Sequence, residues 1–311
     1  MQVAVMAGSG LAGPEFVQAE VRTKLRYFSG RKTPIFLIHD GGGTTYTYHT
    51  LQTQGRFVYA IGNPRWITGE PFEGGMPEMG RIYADYVRET VAKEKFPAKR
   101  REDGRTEILL GGWSLGGLLS LEVARQLALD PVVKVVAVVM IDSVYNHGAN
   151  ARRKFSVVGF QTEEEGKSKN QILTQRAMAE ARRMIAMWEI PTWADNLAEE
   201  RPRTILLKAK EPVPTRENEG PSMIDTFRDD PQLGWGNHQP GFLEDVVDIA
   251  GHHFSLAEDP HIKETSAVLK EVCERFDPPA PEEEPEPLTR RSTTTTTTVG
   301  DAQNGGGLSS T

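Results

Sequence analysis

The sequence has few of the features that would indicate a secreted, membrane or metal-dependent protein. It contains one cysteine in 311 residues, Cys273, which excludes an internal disulfide framework and a cysteine-based zinc site. No apolar run reaches the length of a membrane span, and the N-terminal MQVAVMAGSGLAG lacks the basic lead of a signal peptide. A net charge of -7 offers no basic surface for nucleic acid. We therefore expect a cytoplasmic protein without nucleic-acid or membrane partners, and the oligomeric state stays open.

Short apolar runs separated by helical patterns indicate an α/β domain. Continuous apolar runs, rather than alternating ones, are typical of central strands in a parallel sheet that is covered on both faces. Strands that alternate with helices predict right-handed crossovers and a doubly wound sheet. The predicted strands are 34–39, 56–62, 106–112, 134–142 and 203–209.

Residues from about 150 to 200 interrupt this rhythm. They are too many for a simple crossover connection, and apolar side chains recur there at helical spacing, so we predict an inserted helical lid. The stripe is Leu173, Ala177, Ala181, Met184 and Trp188.

The end of the chain divides into a last helix and a tail. We predict that this helix has Asp259 as its N-cap and Pro260 at its first position. Residues 277–311 are rich in proline, glutamate, threonine and glycine and have little to bury, so we predict a disordered tail after a domain that spans 1–276.

The stretch GGWSLGG, residues 111–117, contains a G-x-S-x-G motif centred on Ser114. The motif follows a predicted strand and opens a predicted helix, which is the setting of a nucleophile elbow. A glycine-rich turn without chemistry is the alternative. The context favours Ser114 as a nucleophile, which requires a base and an orienting acid.

The base is expected late in the chain, because this architecture orders the residues as serine, acid, histidine. The stretch DIAGHHFSL places His252 and His253 in a glycine-led loop before the last helix. We predict His253 as the base, with His252 as the alternative.

Two carboxylates compete for the role of orienting acid. Asp142 ends the strand after the elbow, whereas Glu211 ends the next strand, where many α/β-hydrolases carry their acid. A turn-capping role is the plain alternative for Asp142. The sequence favours Asp142.

An oxyanion hole requires two backbone N–H groups aimed at one point. One is expected from Leu115, the residue after the nucleophile. The other is expected from the loop HDGGGT, at Gly41 or, as the alternative, Gly42. No Walker lysine follows this loop, and nothing in the sequence indicates a cofactor or a metal site.

Five stretches together carry a family resemblance: FLIHDGGGTTYTY, VYAIGNPRW, GGWSLGG, VMIDS and GHHFSL. Over roughly residues 20 to 276 the sequence resembles a thioesterase domain of fungal polyketide and nonribosomal peptide synthetases. The resemblance implies an α/β-hydrolase fold, with Ser114 as nucleophile, Asp142 as acid and His253 as base. It also implies a mobile lid over an acyl pocket. One departure is His252, at a position where such domains often have Asp or Asn.

The resemblance also implies a partner, an acyl carrier protein that bears a phosphopantetheine thioester. No carrier or condensing segment is recognisable, so we expect a free-standing enzyme of secondary metabolism. A carboxylesterase or transacylase of free esters and a non-catalytic ligand-binding protein are the alternatives. Four lid residues are predicted to line the acyl pocket, with plain packing on the body as the alternative for each: Met184, Met187, Trp188 and Trp193.

Overall fold

A computed structural model describes residues 13–19, 32–97, 100–145, 166–193, 195–216, 220 and 222–277. These residues contain a sheet with the strand order β1-β3-β2-β4-β5-β6-β7. Only β1 runs antiparallel to its neighbour; the other pairs are parallel. The strands are β1 Glu15–Gln18, β2 Ile35–Ile38, β3 Val58–Ile61, β4 Thr106–Trp113, β5 Val133–Ile141, β6 Arg203–Glu211 and β7 Asp245–His252.

Helices cover both faces of this sheet, so each central strand is buried on two sides. All four residues of β2 are buried, which explains why its sequence is continuously apolar. One apolar core includes side chains of α2 and α3, and the other includes side chains of α1 and α5. The predicted doubly wound α/β architecture is confirmed. The helices are α1 Tyr46–His49, α2 Gly75–Val91, α3 Leu115–Gln126, α4 Lys169–Met187 and α5 Ile262–Glu274.

Helix α4 lies within the predicted lid segment. Its N-terminus has a capping box, in which Ser168 and Gln171 each accept a hydrogen bond from the other's backbone N–H. Four residues of the predicted stripe are buried: Leu173, Ala181, Met184 and Trp188. The first part of the predicted lid, residues 150–165, lies outside the described residues.

Two contacts fasten α4 to the rest of the domain. Near the middle of the helix, Glu180 accepts a hydrogen bond from the Phe72 N–H at 2.8 Å, and Arg183 donates to the Phe72 carbonyl at 2.6 Å. Just after the helix, the Trp188 indole N–H donates to the buried Glu122 carboxylate at 3.0 Å. Phe72 lies just before α2, and Glu122 lies in α3. These hydrogen bonds therefore hold α4 against the side of the sheet that carries α2 and α3.

The predicted start of the last helix is wrong by two residues. Helix α5 begins at Ile262 with His261 as its N-cap, and the Asp259–Pro260 peptide bond is cis, within the preceding turn. The predicted tail lies outside the described residues from 278 onwards. Among the residues that are described, no helix is both long enough and apolar enough to span a membrane.

Candidate active site

The strand-to-helix turn at Ser114 has the geometry of a nucleophile elbow. Ser114 follows β4 directly, precedes α3, and has φ 56° and ψ −116°, a region that non-glycine residues rarely occupy. The Ile38 carbonyl of β2 lies so close that a Cβ would approach it to 2.5 Å at Gly112 and to 2.1 Å at Gly116. Glycine is therefore required on both sides of the serine, because the neighbouring backbone occupies the space of a side chain.

Buried hydroxyl groups hold this turn in place. The Ser143 hydroxyl donates to the Ser114 carbonyl at 2.6 Å. The Tyr48 hydroxyl accepts from the Trp113 N–H at 3.0 Å and donates to the Ile38 carbonyl at 2.5 Å. Tyr48 thus links the ends of β2 and β4 at the elbow. Nothing in the sequence indicates this role, which depends on α1 folding back over the sheet.

Asp142 and His253 lie against each other at the same edge of the sheet. His253 Nδ1 is 2.8 Å from Asp142 Oδ2, and both side chains are buried. The carboxylate can only accept, so Nδ1 carries the proton and Nε2 is left free to accept one. The indole of Trp113, next to Ser114, lies 5.5 Å from the imidazole between ring centroids. The imidazole is therefore next to the elbow.

The Asp142 carboxylate is unusually well provided with donors. Oδ1 accepts from Arg228 Nη1 at 2.7 Å and from the Ala209 N–H at 2.9 Å, while Oδ2 accepts from Arg228 Nη2 at 2.8 Å. Burial would raise the pKa of Asp142, but the hydrogen bonds from Arg228 and His253 outweigh it and lower the pKa to about 2. Asp142 is therefore an anion at neutral pH.

The competing residues of the sequence analysis lie elsewhere. Glu211 ends β6 and is exposed, paired in register with His252 across the β6–β7 ladder. His252 Nδ1 accepts a long hydrogen bond from the Phe254 N–H at 3.3 Å, and the His252 N–H donates to Ser255. The carboxylate that contacts an imidazole here is that of Asp142, and the imidazole is that of His253.

The HDGGGT loop follows β2 and is shaped by Asp40. Asp40 Oδ1 accepts from the Gly42 N–H at 2.8 Å, and the Asp40 carbonyl accepts from the Gly43 N–H at 3.1 Å. The Gly42 N–H is therefore already engaged. Gly41 therefore stays the predicted second oxyanion donor.

Asp40 is a residue of this site that the sequence analysis missed. Burial raises the pKa of its carboxyl group, and the charge of His253 and the N–H of Gly42 counteract that effect. The neighbouring His39 is buried, donates through Nδ1 to the Asp40 carbonyl and faces the Tyr83 hydroxyl, and burial lowers its pKa to about 4. His39 is thus a neutral structural histidine.

Leu115 is the first residue of α3, and α4 lies against the glycine loop. The N–H at this position has no partner within its own helix, and the helix dipole favours negative charge there. A Cβ at Gly41 would lie 3.8 Å from the Ala181 Cβ, so α4 passes directly over the glycine loop. Of the two predicted oxyanion donors, Gly41 therefore lies beneath α4.

The four predicted pocket residues differ in their surroundings. Met184, Trp188 and Trp193 are buried in the apolar core that also contains Leu115, whereas Met187 is 58% exposed. The indole N–H of Trp188 donates to Glu122, and this hydrogen bond connects the end of α4 to α3. Contact with an acyl chain stays a prediction for all four. Within the described residues, no cluster of side chains is suited to hold a metal ion.

Comparisons with known proteins identify the family of this chain. A model of the alpha/beta hydrolase family matches residues 35–268. A protein of Glarea lozoyensis named Probable thioesterase gloN is 32% identical over 269 residues, which cover 78% of this chain and 90% of that protein. A protein of Fusarium pseudograminearum named Thioesterase is 33% identical over 253 residues, covering 81% and 93%.

A solved structure shows the same fold at low sequence identity. The crystal structure of the NocB thioesterase domain from the nocardicin cluster superimposes with a TM-score of 0.54 at 22% identity. It covers 78% of this chain and 94% of that domain.

Proposed function

The chain belongs to the alpha/beta hydrolase family and is a thioesterase of that family; from this premise we propose that it releases or transfers an acyl chain from a carrier-protein thioester through an ester on Ser114. Ser114 is the nucleophile, His253 the base and Asp142 the acid that orients the base. The observation that carries the proposal is the 2.8 Å contact between Asp142 and His253 beside a serine in a strained elbow.

The first half-reaction forms the acyl-enzyme. His253 Nε2 accepts the Ser114 proton as the serine oxygen attacks the thioester carbonyl carbon. The C=O electron pair moves onto oxygen, and the backbone N–H groups of Gly41 and Leu115 stabilise this oxyanion. When the tetrahedral intermediate collapses, the C–S bond breaks and the imidazolium returns its proton to the thiolate. Loss of one oxyanion donor typically costs about 10²–10³ in rate.

The second half-reaction reverses these roles. His253 takes a proton from water or from another nucleophile, which attacks the acyl-Ser114 ester, and the serine leaves as its alcohol. Asp142 stabilises the imidazolium that forms in both halves. The substrate we propose is an acyl chain of the polyketide or peptide type, carried on the phosphopantetheine arm of an acyl carrier protein.

The experiment that tests the serine mechanism is active-site labelling. A fluorophosphonate probe should label the wild type and leave Ser114→Ala unlabelled, with the phosphonate mass found on the peptide that contains Ser114. Ser120→Ala is a matched control, because Ser120 is a buried serine of α3 whose hydroxyl donates to the Gly116 carbonyl. Equal labelling of the wild type and Ser114→Ala contradicts the proposal.

The substrate is tested separately. The same acyl group is offered as a carrier-protein thioester and as a free small ester, and kcat/KM is compared for the two. We expect the carrier-bound thioester to be preferred. A preference for the free ester would retain the serine mechanism and replace the carrier substrate with a carboxylesterase or transacylase activity.

A further inference from the structure

Arg228 lies behind Asp142 and is not part of the triad proposed above. Its side chain is 6% exposed, and its two terminal nitrogens bind the two carboxylate oxygens of Asp142 at 2.7 and 2.8 Å. Its Nε donates to Asp225 Oδ1 at 2.9 Å, and Nη1 also donates to the Ala209 carbonyl at 2.8 Å. Together with His253, these groups form one buried row of ionisable side chains, in the order Asp225, Arg228, Asp142, His253.

We propose that Arg228 is a positioning residue that fixes the orientation of Asp142 and, by its charge, sets the acidic limit of the pH range in which Ser114 is activated. The inference rests on the proposed triad, because it assigns His253 the role of base. It adds a residue that touches neither the substrate nor the reacting atoms.

The geometry supports the positioning part of the proposal. A guanidinium that binds both oxygens of a carboxylate fixes the plane of that carboxylate, which a single hydrogen bond does not. Asp142 lies just past the end of β5 at φ 48°, so its backbone alone sets an unusual direction for the side chain. The plane of the carboxylate decides where His253 Nδ1 is held, and therefore where Nε2 points.

The charge part follows from the groups that face the imidazole. His253 is faced by the carboxylates of Asp142 and Asp40 and by the rings of Trp113 and Phe254. Both carboxylates stabilise an imidazolium. The cation of Arg228, bound to the same carboxylate as the imidazole, opposes it. Loss of this cation therefore favours the protonated imidazole, in which neither ring nitrogen can accept the Ser114 proton.

Loss of the Arg228 cation and loss of its outer partner, the Asp225 carboxylate, should move the acidic limb in opposite directions. In Arg228→Gln the cation is lost, and we expect the acidic limb of the pH profile to move up by about one pH unit, the shift expected for unit charges on the order of 10 Å apart at an effective dielectric constant near 20. In Asp225→Asn the cation loses its outer counter-charge, so the limb should move down by a smaller amount. Arg228→Lys keeps the positive charge but cannot bind both oxygens of Asp142 with two parallel N–H groups. We expect its acidic limb to stay near that of the wild type, while its labelling rate falls.

The experiment measures the rate of fluorophosphonate labelling of Ser114 from pH 4 to 9, together with the ¹⁵N titration of the His253 side chain by NMR. Neither readout needs an acyl substrate. Melting temperatures identify variants that do not fold, and if Arg228→Gln is one of them, the downward shift in Asp225→Asn and the near-wild-type limb of Arg228→Lys carry the test.

The matched control is Arg56→Gln. Arg56 is fully buried and binds both oxygens of Asp277, at the opposite end of the sheet from the elbow. We expect this variant to lose stability without any movement of the acidic limb. Limbs that coincide in the wild type, Arg228→Gln and Asp225→Asn, or that move in the same direction in both variants, overturn the proposal. Failure of the wild type to be labelled at Ser114 contradicts the proposed function instead.

Discussion

Replacing Asp142 by asparagine removes one charge while keeping the shape of the side chain. The wild-type carboxylate accepts four hydrogen bonds, two on each oxygen, from Arg228, Ala209 and His253. An asparagine has one accepting oxygen and one amide group that only donates. Whichever way the amide is turned, two donors of the surrounding structure then face another donor.

The loss of activity follows from the tautomer of the imidazole. If the amide nitrogen faces His253, Nδ1 must become the acceptor, the ring proton moves to Nε2, and the ring can no longer take the serine proton. If the oxygen faces His253, the imidazolium still lacks its counter-charge, and Arg228 remains beside it. The same substitution in the well-studied serine protease triad lowers kcat by about 10⁴, and we expect a loss of this order for Asp142→Asn.

The loss of stability can be worked from the pKa of Asp142. The carboxyl pKa falls from the ordinary value of 3.8 to about 2 in the folded protein. This difference corresponds to roughly 2 kcal/mol of stability, fully present above pH ~4 and lost as the pH falls through the folded pKa. Asparagine lacks this contribution, so its melting temperature at neutral pH should fall by about 4–8 °C. The acid dependence of its unfolding should be shallower.

The assay compares kcat/KM of Asp142→Asn and Glu211→Gln on one acyl thioester, at a temperature at which both variants are folded. Glu211 is exposed at the end of β6, so its variant should retain activity and stability. A loss below tenfold in Asp142→Asn refutes the reasoning. A greater loss in Glu211→Gln than in Asp142→Asn would move the acid to Glu211.

One substitution and a pair of deletions test how the domain is held together. Trp188→Phe removes the indole hydrogen bond to the buried Glu122 after the lid helix, and we expect a loss of about 1–3 kcal/mol in urea unfolding together with faster hydrogen exchange in α4; unchanged exchange would contradict the fastening role. Deletion of residues 278–311 should leave the melting temperature and probe labelling unchanged, whereas a deletion that also removes Asp277 should destabilise the domain, because Asp277 pairs with the buried Arg56.

The strands were predictable because burial on both faces leaves a direct trace in the sequence. The runs at 106–112 and 203–209 lie within β4 and β6, and each differs from the observed strand by one or two residues at its end. The start of the last helix was not predictable from its residues. Asp259 and Pro260 are a favourable pair for a helix N-terminus, but both lie in the turn that precedes α5.

The site was predictable where chemistry depends on a local turn, and unpredictable where it depends on distant side chains. The elbow requires glycines at fixed spacing around Ser114, and this spacing is visible in the sequence. Arg228 and Tyr48 are separated from their partners by 86 and 65 residues. Their residue types are ordinary for a surface loop and a short helix, so nothing local distinguishes them.

The choice between Asp142 and Glu211 was open in the sequence because both follow apolar strands. The register of the sheet separates them. Ile141, the last residue of β5, pairs with Leu207 of β6 and with Trp113 of β4, so Asp142 and Ser114 leave the sheet at the same level. Strand β6 continues four residues further, and its end at Glu211 lies beside β7, above the level of the elbow. A carboxylate at the end of β5, which stops earlier at this edge, is therefore covered by β6 and receives hydrogen bonds from the Ala209 N–H and Arg228, whereas one at the end of β6 meets solvent.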